Sequence, residues 1–225
     1  MHTDIRRPVL ALDTGTAFLS LALHADGETR LFHTEAGNRH SELILPNIGE
    51  LFAQAGITAA DLGAVAYAQG PGAFTGLRIG AGVAQGLAAP FGTPLIGIPG
   101  LDAAASLLPH KHCVLAAFDA RMGEVFHAWF DTETHTRLSP YRVGKAADIT
   151  PPEGRTCQGG IGSAFALADK PPFDGSAQMP TAADFLTLAL SGRYPATEAA
   201  QAELLYVRDK IALTAKEQAE RKAAS

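Results

Sequence analysis

The chain has 225 residues, of which 47% are hydrophobic and 18% are charged, and its net charge is −5. This is the composition of a globular protein with enough residues for one large domain or two small ones. The acidic balance argues against nucleic-acid binding by the isolated chain, because such binding needs a basic face that releases counterions. Contact with RNA inside a complex stays open.

The compartment is predicted from three features. Cys113 and Cys157 form no CxxC pair, so we expect no disulfide framework. The first residues, "MHTDIRRPVLALDTG", lack a signal-peptide core because Asp13 soon interrupts the short apolar run, and a cytoplasmic protein is predicted. Residues 62–101 carry a single charge, Arg78, but their many glycines and four prolines do not suit a membrane-spanning helix, so no membrane contact is expected.

Three strands are predicted at the start of the chain. "PVLAL" is a short apolar run, "AFLSLALH" alternates in part, and "TRLFHTEA" follows the turn signal Asp26-Gly27. Between the first two strands lies the predicted turn "DTGT", residues 13–16.

A helix is predicted next, within "NRHSELILPNIGELFAQAG". Four apolar residues have helical spacing: Ile44, Ile48, Leu51 and Ala55. Ser41 is the expected N-cap and Gly56 the expected C-cap. Because Pro46 lies deep in the segment, we expect a kink or a late start.

The following segments complete a βββαβαβ pattern: a strand "LGAVAYA", a loop "QGPGAFTG", a helix "LRIGAGVAQGLAAPF" and a strand "PLIGI". The loop lacks the Lys and Ser/Thr of a phosphate-binding P-loop and the glycine spacing of a dinucleotide-binding motif. Thr75 is the expected cap of the helix, predicted to begin near Leu77. Small residues on successive turns favour either close packing on the chain's own sheet or a partner helix: Gly80, Ala81, Ala84 and Ala88.

An internal repeat is indicated by "VLALDTGTAFLSLALHADGETRL" (9–31) and "VLAAFDARMGEVFHAWFDTETHTRL" (114–138). Each has an apolar strand, an aspartate, a glycine-containing turn and a second strand. The repeat predicts two domains, residues 1–105 and 106–225, with "ELLYVRD" extended near the end and a charged helix or tail after it. This pattern resembles the α/β fold of two ribonuclease-H-like lobes found in actin, hexokinase and the Hsp70 ATPase.

In that group the nucleotide phosphates lie between two such turns, and carboxylates surround a magnesium ion. The corresponding candidates here are Asp13, Thr14, Gly15 and Thr16 in the first turn and Asp119 and Arg121 in the second. The alternatives are an ordinary hairpin turn at Asp13 and a hairpin with a local ion pair at Asp119. "CQGGIGSAF" (157–165) is the candidate adenosine loop, or else a flexible loop before a helix.

No catalytic or metal site is predicted from the residues. There is no HExxH motif, no convincing i, i+4 histidine pair on a helix, and no G-x-S-x-G elbow. His40 is expected to form a hydrogen bond at the helix start.

The quoted segments together resemble the TsaB (YeaZ) family: "VLALDTGTAFLSLAL", "RHSELILPNI", "YAQGPGAFTGLRIGAGVAQGLA", "IGIPGLDAAA", "AAFDARMGEVF" and "ELLYVRD". The resemblance covers residues 8–210. It implies a noncatalytic partner of TsaD, which forms threonylcarbamoyladenosine next to the anticodon of tRNA, with TsaE as a P-loop ATPase. It also implies a homodimer when TsaD is absent, and contact with tRNA only through the complex.

The family's pairing surface is formed by the two helices of the first lobe. Carried onto this sequence, the resemblance implies these interface residues: His40, Ile44, Ile48, Leu51, Leu77, Arg78, Gly80, Ala81 and Ala84. Bulky replacements at Gly80 or Ala84 are then expected to break the complex and leave the lobe folded. The metal-binding histidines of the catalytic relatives are reduced to one in "NRHSEL", so neither a metal nor a firmly bound cofactor is expected. ATP or ADP with Mg²⁺ at the partner boundary stays open.

A second hypothesis comes from another class of protein. The same fold houses ATP-dependent kinases of small molecules and ATPases, which would use Asp13 and Asp119. It predicts ATP turnover by the isolated chain, lost in Asp13→Asn.

Overall fold

The computed structural model describes residues 6–207, which contain twelve strands and four α-helices. The strands are β1 (Val9–Asp13), β2 (Phe18–Ala25), β3 (Glu28–Glu35), β4 (Ala64–Gly70), β5 (Leu95–Pro99), β6 (Val114–Arg121), β7 (Glu124–Asp131), β8 (Thr136–Arg137), β9 (Arg142–Gly144), β10 (Gly160–Ile161), β11 (Gly175–Ser176) and β12 (Ala196–Thr197). The helices are α1 (His40–Ala55), α2 (Phe74–Ala88), α3 (Gly100–Ala105) and α4 (Ala182–Leu190). Short 3₁₀ turns connect several of them.

The first sheet has the strand order β12-β5-β4-β1-β2-β3. Strand β1 is parallel to β4 and antiparallel to β2, with Leu12 opposite both Tyr67 and Leu21. Helices cover both faces, so β1 is apolar from Val9 to Leu12, before it ends at Asp13. Leu10 and Leu12 point towards α1 and α2, whereas Val9 and Ala11 point towards α4.

The second sheet has the order β11-β10-β6-β7-β8, and β9 also pairs with β7. Its centre is the antiparallel hairpin of β6 and β7, with Phe118 opposite Phe126. Helix α3 packs on one face through Leu101 and Ala104. The opposite face buries Trp129 and Phe165. Helix α3 therefore joins the two sheets and belongs to the core of the second.

The predicted βββαβαβ order of the first half is confirmed, but the helix starts are corrected. Helix α1 begins at His40 after Arg39, with no side-chain cap, so Ser41 lies inside it and a late start is wrong. Helix α2 begins at Phe74, and its first helical bond joins Leu77 N to Ala73 O at 2.9 Å. Thr75 therefore lies within the helix. The C-cap at Gly56 is confirmed, with φ at +65°.

The end of the described chain returns to the first sheet. Helix α4 buries Phe185 and Leu188 against the face opposite α1 and α2, and Ala182 N–H donates to Ser20 Oγ at 2.8 Å. Strand β12 adds to the edge at β5. The predicted domain 106–225 therefore contains elements that pack on the first sheet, because the second face of that sheet needs an apolar cover.

The C-terminal segment, residues 199–207, lies beside α2 and β4. Leu205 N–H donates to Gln69 O at 2.8 Å, and Gln85 Nε2 donates to Ala199 O at 2.9 Å. In "ELLYVRD", residues 203–207 have no regular secondary structure, and the rest lies outside the described residues, as does the predicted charged helix or tail. Among helices within residues 6–207, none has the length and apolar character needed to cross a membrane.

Candidate functional site

The first candidate turn follows β1, and its aspartate is engaged within the turn. Asp13 Oδ1 accepts a hydrogen bond from Gly15 N–H at 2.7 Å, and the residue is only 5% exposed. Burial raises the pKa of Asp13 from 3.8 to about 6, while the Gly15 hydrogen bond and nearby His40 act in the opposite direction. One oxygen of the Asp13 carboxyl group is therefore occupied by a hydrogen bond within the turn.

The same turn packs tightly on the start of α2. Thr14 Oγ1 donates to Gly76 O at 2.7 Å, and Ala73 N–H donates to Gly15 O at 2.8 Å. A Cβ at Gly72 would lie 2.6 Å from Gly15 O, and a Cβ at Gly76 would overlap Thr14 O. These glycines permit the close approach of the chain's own backbone.

The second candidate turn has the local ion pair that the hairpin interpretation predicts. Asp119 Oδ1 accepts from Arg121 N–H at 2.7 Å, and Asp119 Oδ2 lies 3.4 Å from Arg121 Nη1. Arg121 itself has φ at +66°. The Asp119 N–H donates to Ser163 Oγ at 3.0 Å, which ties the hairpin to the turn after β10.

Within residues 6–207, the crevice at the first turn does not reach the second turn. The crevice beside Asp13 has a volume of about 10 Å³, room for roughly one water molecule. Phe118 from β6 lines this crevice, and a Cβ at Gly100 would lie 3.0 Å from its ring. Thr16 lines the crevice, whereas Asp119 and Arg121 do not.

The candidate adenosine loop, residues 157–165, is built into the second sheet. Gly160 is in β10, and Cβ atoms at Gly160 and Gly162 would overlap the Phe165 ring and Ala117 O, respectively. These glycines are required for packing, and the segment contains strand β10 and a 3₁₀ turn at Ser163–Ala166.

Most of the implied interface residues face the chain's own core. Seven are buried: His40, Ile44, Ile48, Leu51, Leu77, Gly80 and Ala84. A Cβ at Gly80 would overlap Thr14 Oγ1. The expected test with bulky residues at Gly80 or Ala84 would therefore disrupt the lobe itself. Ala81 is half-buried, and Arg78 is exposed with its guanidinium 3.8 Å above the Phe74 ring.

A different face of α1 and α2 is accessible. We define the outer face as the exposed residues Leu45, Gly49, Gly82 and Gly86. Leu45 is 57% exposed, and a Cβ at any of these glycines would meet no neighbouring group of residues 6–207 within 4 Å. The GxxxG spacing of Gly82 and Gly86 could have indicated this second stripe, but small residues occur on both sides of α2.

His40 forms the hydrogen bond expected of it, with Nε2 lying 3.2 Å from Phe18 O. Within residues 6–207, no three His, Cys, Asp or Glu side chains converge in a way that could hold a metal ion.

The architecture matches a solved structure closely. YeaZ from Pseudomonas aeruginosa superposes with a TM-score of 0.81 at 30% identity, covering 89% of this chain and 99% of that chain. The two lobes and their mixed sheets are the α/β fold of the actin, hexokinase and Hsp70 ATPase class, as predicted.

Comparison of sequences defines the family. Residues 33–170 match the family model of TsaD, tRNA N6-adenosine threonylcarbamoyltransferase. The tRNA threonylcarbamoyladenosine biosynthesis protein TsaB of Escherichia coli K12 is 34% identical over 226 positions, covering 91% of this chain and 96% of that protein. The TsaB of Haemophilus influenzae is 45% identical over 121 positions, covering 52% of this chain and 51% of that protein. This chain belongs to the TsaB (YeaZ) family.

Proposed function

We propose that this chain is a noncatalytic partner subunit in the formation of threonylcarbamoyladenosine in tRNA, and that it binds and activates TsaD. The observation that carries the proposal is the outer face of α1 and α2, where Gly82 and Gly86 leave the helix backbone open to close approach by another helix. Leu45 adds an exposed apolar side chain to the same face. The role in threonylcarbamoyladenosine formation is inferred from membership of the family.

The proposed partner surface lies on two helices that are packed on the first sheet. Helices α1 and α2 bury their inner residues against the first sheet, including Ile44, Ile48 and Ala84. Because these core contacts come from the inner face, we expect the outer face to contribute little to folding. A rigid pair of helices with small outer residues suits close helix–helix packing.

The noncatalytic role is supported by how the fold uses the first turn. Asp13 and Thr14 are both hydrogen-bonded inside the lobe, and the crevice beside them holds about 10 Å³. A typical small-molecule site has a volume of several hundred Å³. This geometry does not favour the ATPase or kinase alternative, which needs a nucleotide between the two turns. Titrating the chain with MgATP by calorimetry tests that alternative, and saturable binding lost in Asp13→Asn would support it.

The proposal is tested by reconstitution with purified TsaD, TsaE, tRNA and the small-molecule substrates. We expect modified nucleoside in tRNA only when this chain is combined with TsaD. The chain without TsaD is expected to give none. Product formed at full rate by TsaD and TsaE without this chain would contradict the activating role, and product formed by this chain alone would contradict the noncatalytic one.

The expected assembly has two further components. We propose that TsaE joins the complex as the P-loop ATPase, that tRNA is contacted only through the complex, and that the chain forms a homodimer through the same outer face in the absence of TsaD. One surface cannot hold both partners at once, so added TsaD is expected to convert the homodimer into a heterodimer in light-scattering measurements.

A further inference from the structure

A second cavity lies between the lobes, away from both candidate turns. Its volume is about 430 Å³, within the range of small-molecule binding sites. It is bounded by α3, by α4 and by the segment from β7 to β8. The apolar part of its lining includes Ala105, Phe130 and Leu188.

The carboxylates around this cavity are already occupied by groups of the fold. Asp184 Oδ2 accepts from the Thr181 N–H at 2.7 Å, and Asp131 accepts from the Thr134 N–H at 2.9 Å and from Arg155 at 3.1 Å. These carboxylate oxygens are therefore engaged by hydrogen bonds within the chain.

Asp102, in α3 at the wall of the cavity, is hydrogen-bonded to one residue from the second lobe and one from the segment after α4. Its two oxygens accept from the hydroxyls of Tyr141, at 2.5 Å, and Tyr194, at 3.0 Å. Tyr141 lies between β8 and β9, and Tyr194 lies after α4. Burial raises the pKa of Asp102, although the two hydroxyl groups oppose this rise. Both oxygens are satisfied, so Asp102 is not a strong acceptor for a ligand.

The two arginines that line the cavity differ from these carboxylates in their contacts. Arg137 of β8 and Arg193, which follows α4, both line it, and neither forms an ion pair within residues 6–207. The Arg137 charge does contribute to lowering the pKa of Asp102. The Arg137 guanidinium lies 4.0 Å above the Tyr141 ring, which fixes its orientation. Arg193 directly precedes Tyr194, whose hydroxyl is anchored on Asp102.

We propose that this cavity binds a small organic anion, with its phosphate or carboxylate group between Arg137 and Arg193 and its apolar part against Phe130 and Leu188. Guanidinium groups recognise both kinds of anion through paired, charge-assisted hydrogen bonds. The ligand contacts residues of both layers, so its binding also holds the lobes together.

The test uses the full chain and three probes of similar size: phenyl phosphate, benzoate and the neutral benzyl alcohol. Amide chemical shifts are recorded by NMR during each titration. We expect one or both anions to shift residues around 130–137 and 187–194, and benzyl alcohol not to do so. Comparison of the two anions identifies the preferred head group.

Variants separate a specific site from general attraction. Arg137→Ala and Arg193→Ala should each weaken anion binding by about tenfold, since each removes a charge-assisted hydrogen bond. Arg142→Ala is the matched control, because Arg142 is also exposed but lies outside this cavity. Thermal unfolding of each variant checks that it is folded. No binding of either anion, undiminished binding in Arg137→Ala/Arg193→Ala, or an equal loss in Arg142→Ala would each overturn the proposal.

Discussion

The inner and outer faces of α2 have the same kinds of residues and opposite surroundings. On the inner face, Gly76 and Gly80 are in contact with the turn after β1, and no room exists for a side chain. On the outer face, Gly82 and Gly86 have open space around them within residues 6–207. Small residues therefore permit close approach on both faces, but in the described part of the chain the inner face is the one that packs on other elements. The composition of a helix does not distinguish these two uses.

The largest expected effect is on the inner face. Gly76→Ala places a methyl group against Thr14 O, which is backbone and cannot move aside easily. We expect the free energy of unfolding to fall by about 3 kcal/mol, at the upper end of typical overpacking costs. Denaturant unfolding measures this change. An unchanged midpoint in Gly76→Ala would show that the turn does not pack on α2 as described.

The next effect is the pH dependence of stability that follows from the burial of Asp13 beneath the inner face of α2. The pKa of Asp13 is about 6 in the folded chain against an ordinary 3.8, so the folded state holds the proton more tightly. The resulting stabilisation is complete below pH 3.8 and is lost as the pH rises through 6. The difference corresponds to about 3 kcal/mol.

Asp13→Asn keeps a neutral side chain at every pH, so it isolates this contribution. The stability of the variant relative to the original chain should be greater at pH 7.5 than at pH 4, by about 2–3 kcal/mol. Thermal or urea unfolding at both pH values provides the measurement. A difference that does not change with pH would mean that Asp13 is not buried in the way the structure shows.

A smaller effect is expected at the exposed apolar residue of the outer face. Leu45→Ala should weaken binding to TsaD by about 1–2 kcal/mol if Leu45 is inserted between the partners. Its effect on unfolding should stay within about 0.5 kcal/mol, because the side chain is 57% exposed. Calorimetric titration with TsaD measures the first quantity. A large loss of stability with normal binding would reverse the assignment of this face.

The smallest expected effect is a gain in stability. Gly82→Ala adds a methyl group in open space and replaces a poor helix former with a good one. The free energy of unfolding should rise by up to about 1 kcal/mol. Paired with Gly76→Ala, this variant makes the same chemical change six residues away with the opposite sign. A loss of stability in Gly82→Ala would show that the outer face is covered by the chain itself.

Sequence reasoning predicted the elements of the first lobe well, because their periodicities are strong. The leucines of β1 and β2, the spacing of Ile44 and Ile48, and the turn glycines gave the correct order of strands and helices. The paired Asp13 and Asp119 turns correctly indicated two related lobes.

The orientation of α2 could not be derived in the same way. Gly80 and Ala84 are buried and Gly82 and Gly86 are exposed, but all four lack large side chains, so hydrophobic periodicity carries little information there. The return of α4 to the first sheet was also missed. Ala182 and Phe185 lie more than 150 residues from β1 and β2, which they help to cover, and local patterns do not report such distant contacts.

The measurement that tests the outer face most directly is the affinity of Gly82→Leu for TsaD, with Gly144→Leu as the control. Gly144 is also open around its Cβ position, but it lies in β9 of the second sheet. We predict that Gly82→Leu remains folded with a melting temperature at least as high as that of the original chain, because leucine is also a better helix former than glycine. It should lose at least a hundredfold in affinity, whereas Gly144→Leu binds normally. Full affinity in Gly82→Leu would contradict the account, because a leucine at the centre of a close helix–helix contact cannot be accommodated.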